Sequence, residues 1–198
     1  MTTQLYLFIF FLVFFLIVFV IRSYLLWKNT GINPITFDRS DDAHSYIGKL
    51  FKFISIFQFA IVAVYAIKPG WYEYYLPVWY MENPVLQIIG WVLLHASLIW
   101  IFIAQMQMAN SWRIGIDRQH KTKLITKGLY ALSRNPIFLG ILSADLGLFL
   151  VIPNALTLLN LVLVYIIIQI QVRLEESYLI KSHGSNYLQY QHQVNRWI

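Results

Sequence analysis

"IFLGILSADLGLFLVIPNALTLLNLVLVYIIIQIQ", Ile137 to Gln171, holds two apolar runs with only Pro153 and Asn154 between them. A membrane-crossing helix takes about 20 apolar residues. A gap this small between two crossings forces a tight helical hairpin. In hydrocarbon the backbone must satisfy its own hydrogen bonds, so both runs are expected to be helical. The first, Ile137 to Ile152, is short for a straight crossing; the second runs from about Ala155 to Gln171.

The same composition continues upstream, in segments from about Leu5 to Leu26, Tyr46 to Ile67 and Val85 to Met106. The 198 residues are 59% hydrophobic and 12% charged, about half the charge of a soluble domain. The expected fold is an all-α integral membrane protein with five transmembrane helices, the last two a tight hairpin, and a small cytoplasmic cofactor-binding region. Residues 1–198 read as one membrane domain: 1–106 form three N-terminal transmembrane helices, and 107–198 form the loop, hairpin and tail around the cofactor site. The first segment lacks a basic leader and a small-residue cleavage site, so it is expected to remain as a span. Cysteine is absent, which excludes disulfides, thiolate catalysis and thiolate metal sites.

Lys and Arg in short loops mark the cytoplasmic side. Arg22, Lys28, Arg39, Lys49 and Lys52 follow the first segment, and Arg113, Arg118, Lys121, Lys123, Lys127 and Arg134 follow the third. Arg173, Lys181 and Arg196 follow the fifth. With five crossings and the N-terminus outside, 14 of the 15 basic residues face the cytoplasm and only Lys68 lies outside. The net charge of +6 therefore calls for no nucleic acid; it marks a basic face against anionic lipid. The outer loop, "KPGWYEYYLPVWYMENP" (Lys68 to Pro84), carries Trp71, Tyr72, Tyr74, Tyr75, Trp79 and Tyr80. These read as an interfacial aromatic belt; an aromatic ligand box is the rarer alternative.

Polar chemistry must come from the loop Gln107 to Asn135, the tail Val172 to Ile198 and the adjoining helix ends. Asn135-Pro136 reads as a helix start, with Asn accepting from free amides and Pro at the first helical position. Arg134 beside it has two readings: contact with lipid phosphate, or bidentate binding of a ligand carboxylate. Glu175 and Glu176 point about 100° apart on a helix. Arg173 is spaced to pair with Glu176, which would leave Glu175 either solvated or holding a ligand's ammonium or hydroxyl groups. Tyr187 and Tyr190 share one face of a short tail helix that follows Gly184 and packs on the loop. Asp145 is an acid inside a predicted span, and such acids face a protein interior or cavity. Its expected partners are backbone near Ser143 or the polar His95 and Gln105 of the third segment, with substrate contact as the alternative. His44, His95, His120, His183 and His192 show no metal-ligand spacing, so no metal is expected.

Two elements, "LITKGLYALSRNPIFLG" (Leu124 to Gly140) and "RLEESYLIKSHGSNYLQYQHQV" (Arg173 to Val194), resemble the isoprenylcysteine carboxyl methyltransferase family, which is related to the membrane phospholipid methyltransferases. The resemblance covers the C-terminal part of the chain. It implies S-adenosylmethionine bound on the cytoplasmic side and a lipophilic or prenylated substrate entering from the bilayer. By that pattern Leu124, Ile125 and Tyr130 line the cofactor pocket, and Glu175 takes the cofactor-binding glutamate's place. Asn135, Pro136 and Phe138 stand where the family has His-Pro-x-Tyr. Asn keeps a donor but cannot act as a base near neutral pH. Gln171 stands where the eukaryotic prenylcysteine enzymes have a substrate-binding arginine. Arg134, Asn135 and Arg173 are the candidates for a catalytic role, and Asp145, Gln171 and Arg173 for substrate contact. A phospholipid or thiol methyltransferase and a sterol-reductase-like NADPH enzyme are the alternatives.

Overall fold

The computed structural model describes residues 2–36, 42–117, 120 and 122–198. Three basic residues used above for orientation, Arg39, Arg118 and Lys121, lie outside the described residues. Helix α1 (Thr3–Phe15) starts under Thr2, whose hydroxyl accepts from the Leu5 amide. It runs through a π-helical turn, Leu16–Ile21, into α2 (Arg22–Thr30), which stops at Gly31 with φ 68°. Helix α3 (Ala43–Ile67) is capped by the Asp42 carboxylate, and α4 (Pro84–Met108) by Asn83 with Pro84 in its first turn. Helix α5 (Pro136–Val151) is followed by α6 (Ala155–His183), which opens with a reciprocal capping box between Asn154 and Thr157. Helix α7 (Ser185–Gln193) follows Gly184, which has φ 56°.

Four helical stretches are long and apolar enough to cross a membrane: Thr3–Thr30, Ala43–Ile67, Pro84–Ser111 and Ala155–His183. The expected fifth, α5, has 16 residues and a length of about 24 Å at 1.5 Å per residue. Hydropathy also misplaces the end of α6. The helix continues through the charged residues beyond Gln171 to His183, because polarity marks the end of the hydrocarbon layer, whereas Gly184 ends the helix. Among the described residues there is no strand, only isolated bridges between Ile35 and Ile114 and between Pro77 and Asn154.

Helix α5 lies against α4 and is enclosed on most sides; Gly140, Ala144, Asp145, Gly147 and Leu148 are all buried. Gly90 and Gly147 let the two backbones touch. A methyl on Gly147 would meet the Gly90 carbonyl oxygen at 2.9 Å, and one on Gly90 would meet the Gly147 carbonyl at 2.8 Å. Small residues at such contacts allow the close approach on which helix packing in lipid relies. Asp145 fixes the third side. Its Oδ1 accepts from Gln58 Nε2 at 3.0 Å and Asn160 Nδ2 at 2.8 Å, joining α3, α5 and α6. The partners expected from the sequence are engaged elsewhere: His95 with Tyr6 and the Trp91 carbonyl, Gln105 with the Val18 carbonyl.

One end of the bundle is closed by the aromatic loop. Tyr72 and Tyr75 turn inward and donate to the carbonyls of Pro153 and Ile61. Trp71, Tyr74, Trp79 and Tyr80 remain exposed, as an interfacial belt requires. The Val78 amide donates to Pro153, and the Ala155 amide to Leu76. The opposite end collects the loop after α4, the start of α5 and the tail.

Candidate functional site

The loop after α4 is pinned at several points. His44 Nε2 accepts from the Ile116 amide at 2.9 Å, and Tyr178 donates to the Asp117 carbonyl. Asp117 is itself bridged by Arg113 at 2.8 Å. Further on, Gly128, with φ 68°, opens a short 3-10 turn to Ala131. The Leu129 amide of that turn donates to Gln107 Oε1 in the last turn of α4. From the tail, Tyr190 donates to the Tyr130 carbonyl at 2.6 Å and packs edge-on against Tyr187, ring centres 5.9 Å apart. Burial pushes the Tyr190 hydroxyl up to about 12, so it stays a donor at neutral pH. These contacts hold Tyr130 buried, yet its own hydroxyl has no partner. Burial, and next the nearby Glu175 carboxylate, push that hydroxyl well above the ordinary tyrosine range; Tyr190 adds to this, and Arg22 opposes it.

Glu175 and Glu176 have different partners. Glu175 Oε1 accepts from Gln171 Nε2 at 2.7 Å, one helical turn back. The other end of that amide, Gln171 Oε1, is buried without a partner. Glu176 is held by two arginines. Arg134 Nη2 lies 2.9 Å from Oε1, and Arg196 Nη2 lies 2.7 Å from Oε2. Both arginines also point Nε at Oε1, and Arg134 Nη1 donates to the carbonyls of Gln191 and Val194. The Glu176 carboxylate raises the Arg196 guanidinium above its ordinary value.

Three expectations are thereby corrected. Arg173 does not pair with Glu176. It is exposed and folds back on the carbonyl and Oε1 of Gln169, because Glu176 is already taken by groups far along the chain. Asn135 occupies the N-cap position of α5 but makes no side-chain cap bond; its Nδ2 donates to the Arg196 carbonyl at 3.3 Å. Arg134 is spent inside the protein and has no free edge for lipid phosphate or a ligand carboxylate.

The remaining candidates are spread over the loop, α5 and α6. Leu124 and Ile125 are half-buried in the irregular segment before the 3-10 turn. Pro136 is buried at the start of α5, and its carbonyl accepts from Trp100 Nε1. Phe138 stacks on Phe51 of α3 with ring centres 6.4 Å apart. Asp145 is committed to Gln58 and Asn160, two turns or more along α5 from Asn135. Gln171 is bonded to Glu175, which lies near enough to Tyr130 to act on its hydroxyl; Arg173 is turned to Gln169 instead. Among the described residues no three His, Cys, Asp or Glu side chains gather as a metal site.

Sequence reasoning passed over Arg22. It is the first residue of α2, 9% exposed, with Trp112 facing its guanidinium at 5.7 Å. The signal was a basic residue inside the apolar segment Leu5 to Leu26, where ionisable side chains are costly and tend to be functional. Arg196 was counted for topology alone, although it supplies half of the clamp on Glu176.

Residues 86–186 match the family model described as phospholipid methyltransferase, half of the chain, including Tyr130, Arg134, Gln171, Glu175 and Glu176 but not Arg22 or the tail after residue 186. No curated protein matches the chain. The chain belongs to the phospholipid methyltransferase family of membrane methyltransferases.

Proposed function

We propose that this family member is an S-adenosylmethionine-dependent methyltransferase acting on a lipophilic acceptor, with its donor pocket bounded by Tyr130, Gln171 and Glu175. One observation carries the reading. Two buried polar atoms, Tyr130 Oη and Gln171 Oε1, lack partners beside a carboxylate. Burying unpartnered polar groups is costly, and a polar ligand with hydroxyl and ammonium groups offsets that cost. The residues present fit such a donor. S-adenosylmethionine brings an activated methyl group, so the chemistry is largely its own.

What the chain adds is placement. Glu175 accepts from the donor's ammonium or ribose hydroxyls, Tyr130 and Gln171 complete the polar lining, and Leu124 and Ile125 cover it against water. Gln171 orients the Glu175 carboxylate. Asn135 and Pro136 start the helix that borders the pocket, and Phe138 anchors it to α3. The acceptor must approach in line with the methyl group. An isoprenylcysteine carboxylate needs no base, whereas a phospholipid amine must lose a proton. Gln171 is neutral and already donates to Glu175, so this site offers no cation at the position where prenylcysteine enzymes bind the substrate carboxylate. That favours the phospholipid-type acceptor.

In this reading the chain is one membrane domain with five crossings. Helix α5 spans as an inner helix hairpinned to α6, its shortness tolerated because α4 and α6 shield it. The N-terminus is outside, and the loop 107–135 and the tail are cytoplasmic, following the 14-to-1 division of basic residues. The test is isothermal titration of the purified protein with S-adenosylmethionine and, separately, NADPH, followed by labelled-methyl transfer into a total lipid extract. The reading predicts donor binding, no NADPH binding, and label in the lipid fraction. Binding of NADPH alone would replace it with the reductase reading.

A further inference from the structure

We infer that Arg22 is the anion-binding residue of this site: its guanidinium takes the carboxylate or phosphate of a zwitterionic ligand whose cationic part faces Glu175. The inference rests on the donor pocket proposed above and adds a residue from the first span, outside the matched residues 86–186. The chain is built to aim this side chain. Leu16–Ile21 form a π-helical segment immediately before it, and π turns recur at functional sites because the extra residue per turn re-aims the side chains after it. Gln105 Nε2 donates to the Val18 carbonyl inside that segment at 2.9 Å, which stabilises the distortion.

The guanidinium is only partly satisfied. Nη2 donates to the carbonyls of Gln105, at 3.0 Å, and Ala109 at the end of α4. Nε is buried with no partner, and Nη1 makes no hydrogen bond among the described residues. Among the described residues no carboxylate pairs with Arg22. The helix-end carbonyls carry partial negative charge but are not a counter-ion, and a buried cation without one is unfavourable. An edge of free N–H donors matches a carboxylate or phosphate in bidentate fashion.

The position completes a charge pattern. Arg22 docks on Gln105 and Ala109, and the turn bearing Tyr130 docks on Gln107, so both meet the same last turn of α4. Arg22 and Glu175 are among the charges that act on the Tyr130 hydroxyl. A cation, a hydroxyl without a partner and a carboxylate therefore lie at the same end of the bundle. That is the complement of an α-amino acid end or of an ammonium-phosphate head group.

The experiment titrates wild type, Arg22→Gln and Arg22→Lys, in one detergent, with S-adenosylmethionine, with decarboxylated S-adenosylmethionine, and with a short-chain phosphatidylethanolamine. If the anion is the donor's carboxylate, Arg22→Gln weakens S-adenosylmethionine by about 10-fold or more and leaves the decarboxylated donor within about twofold, with Arg22→Lys in between. If the anion is the acceptor's phosphate, the head-group lipid weakens instead and both donors are unchanged. Equal binding of all three ligands to the variants, or an equal loss for both donors with the head-group lipid unchanged, overturns the inference and leaves Arg22 as a tie to the end of α4. Arg22→Lys keeps the charge if Arg22→Gln fails to fold, and a Lys variant that binds every ligand as wild type does would also overturn the bidentate role. Failure of wild type to bind either donor counts against the proposed function itself; loss of head-group binding in Arg22→Gln alone would then still support the anion site.

Discussion

Glu175 and Glu176 are neighbours on α6 and lead into two polar clusters of opposite character. The cluster at Glu176 is closed: Arg134 and Arg196 hold both carboxylate oxygens, and the spare donors of Arg134 reach the tail carbonyls. The cluster at Glu175 is open: Gln171 satisfies one oxygen, while Gln171 Oε1 and the Tyr130 hydroxyl have no partner. A closed network specifies structure, because every polar group in it has been matched within the chain. The difference separates polar groups that tie the tail to the start of α5 from polar groups that find no partner among the described residues.

The largest effect should come from opening the closed cluster. Glu176→Gln removes the charge between two arginines whose nearest alternative partners are backbone carbonyls. Breaking a buried pair from one side costs about 3–5 kcal/mol; the loss here lies toward the lower end, because Arg196 is partly exposed. Thermal denaturation in detergent should show a clearly lowered midpoint, with the tail becoming sensitive to protease. A variant as stable as wild type would mean that the clamp contributes little and that the two clusters are alike.

Next in size is Glu175→Gln, which keeps the shape and removes the charge. Losing a charge-assisted hydrogen bond to the donor should cost roughly 1.5–3 kcal/mol, or about a 10- to 150-fold weaker donor affinity. The apo protein should lose little stability, because Glu175 has only a neutral partner to lose. Isothermal titration and denaturation on one preparation measure both quantities. The comparison breaks if the stability losses at Glu175 and Glu176 are equal.

The long helices were legible from hydropathy and local capping residues, because both signals lie within a few residues of the feature they mark. The site was legible only in part. Both glutamates stood out as costly charges near a membrane edge, but the i to i+3 rule gave Glu176 to Arg173. Its real partners lie 42 and 20 residues away in sequence, and no local rule reaches them. A separation of 61 residues likewise hid the role of Asn135, whose side chain donates to a carbonyl of the tail and makes no cap bond to its own helix. Arg22 was hidden by its neighbourhood: within an apolar run it counted as one more positive charge for topology, while its meaning depends on α4 and on the loop that carries Tyr130.

The smallest effect, and the sharpest in sign, belongs to Tyr130→Phe. In the closed cluster any deletion should destabilise. Here the hydroxyl is buried and unpartnered, so removing it deletes a desolvated polar group while the ring stays. Such a change is near neutral or stabilising for the protein without ligand. The backbone carbonyl that receives the Tyr190 hydroxyl is unaffected, so the docking of the tail on the loop survives. With donor present the balance reverses, because the hydroxyl is then a partner for the ligand. Its loss should cost about 0.5–1.5 kcal/mol of binding, about two- to twelvefold in affinity. Unfolding curves with and without saturating S-adenosylmethionine should therefore cross: the variant at least as stable as wild type alone, and less stable than wild type when the donor is bound. A variant that is less stable in both conditions by the same amount would show that the hydroxyl already serves the fold, and the Glu175 cluster would have to be counted as closed.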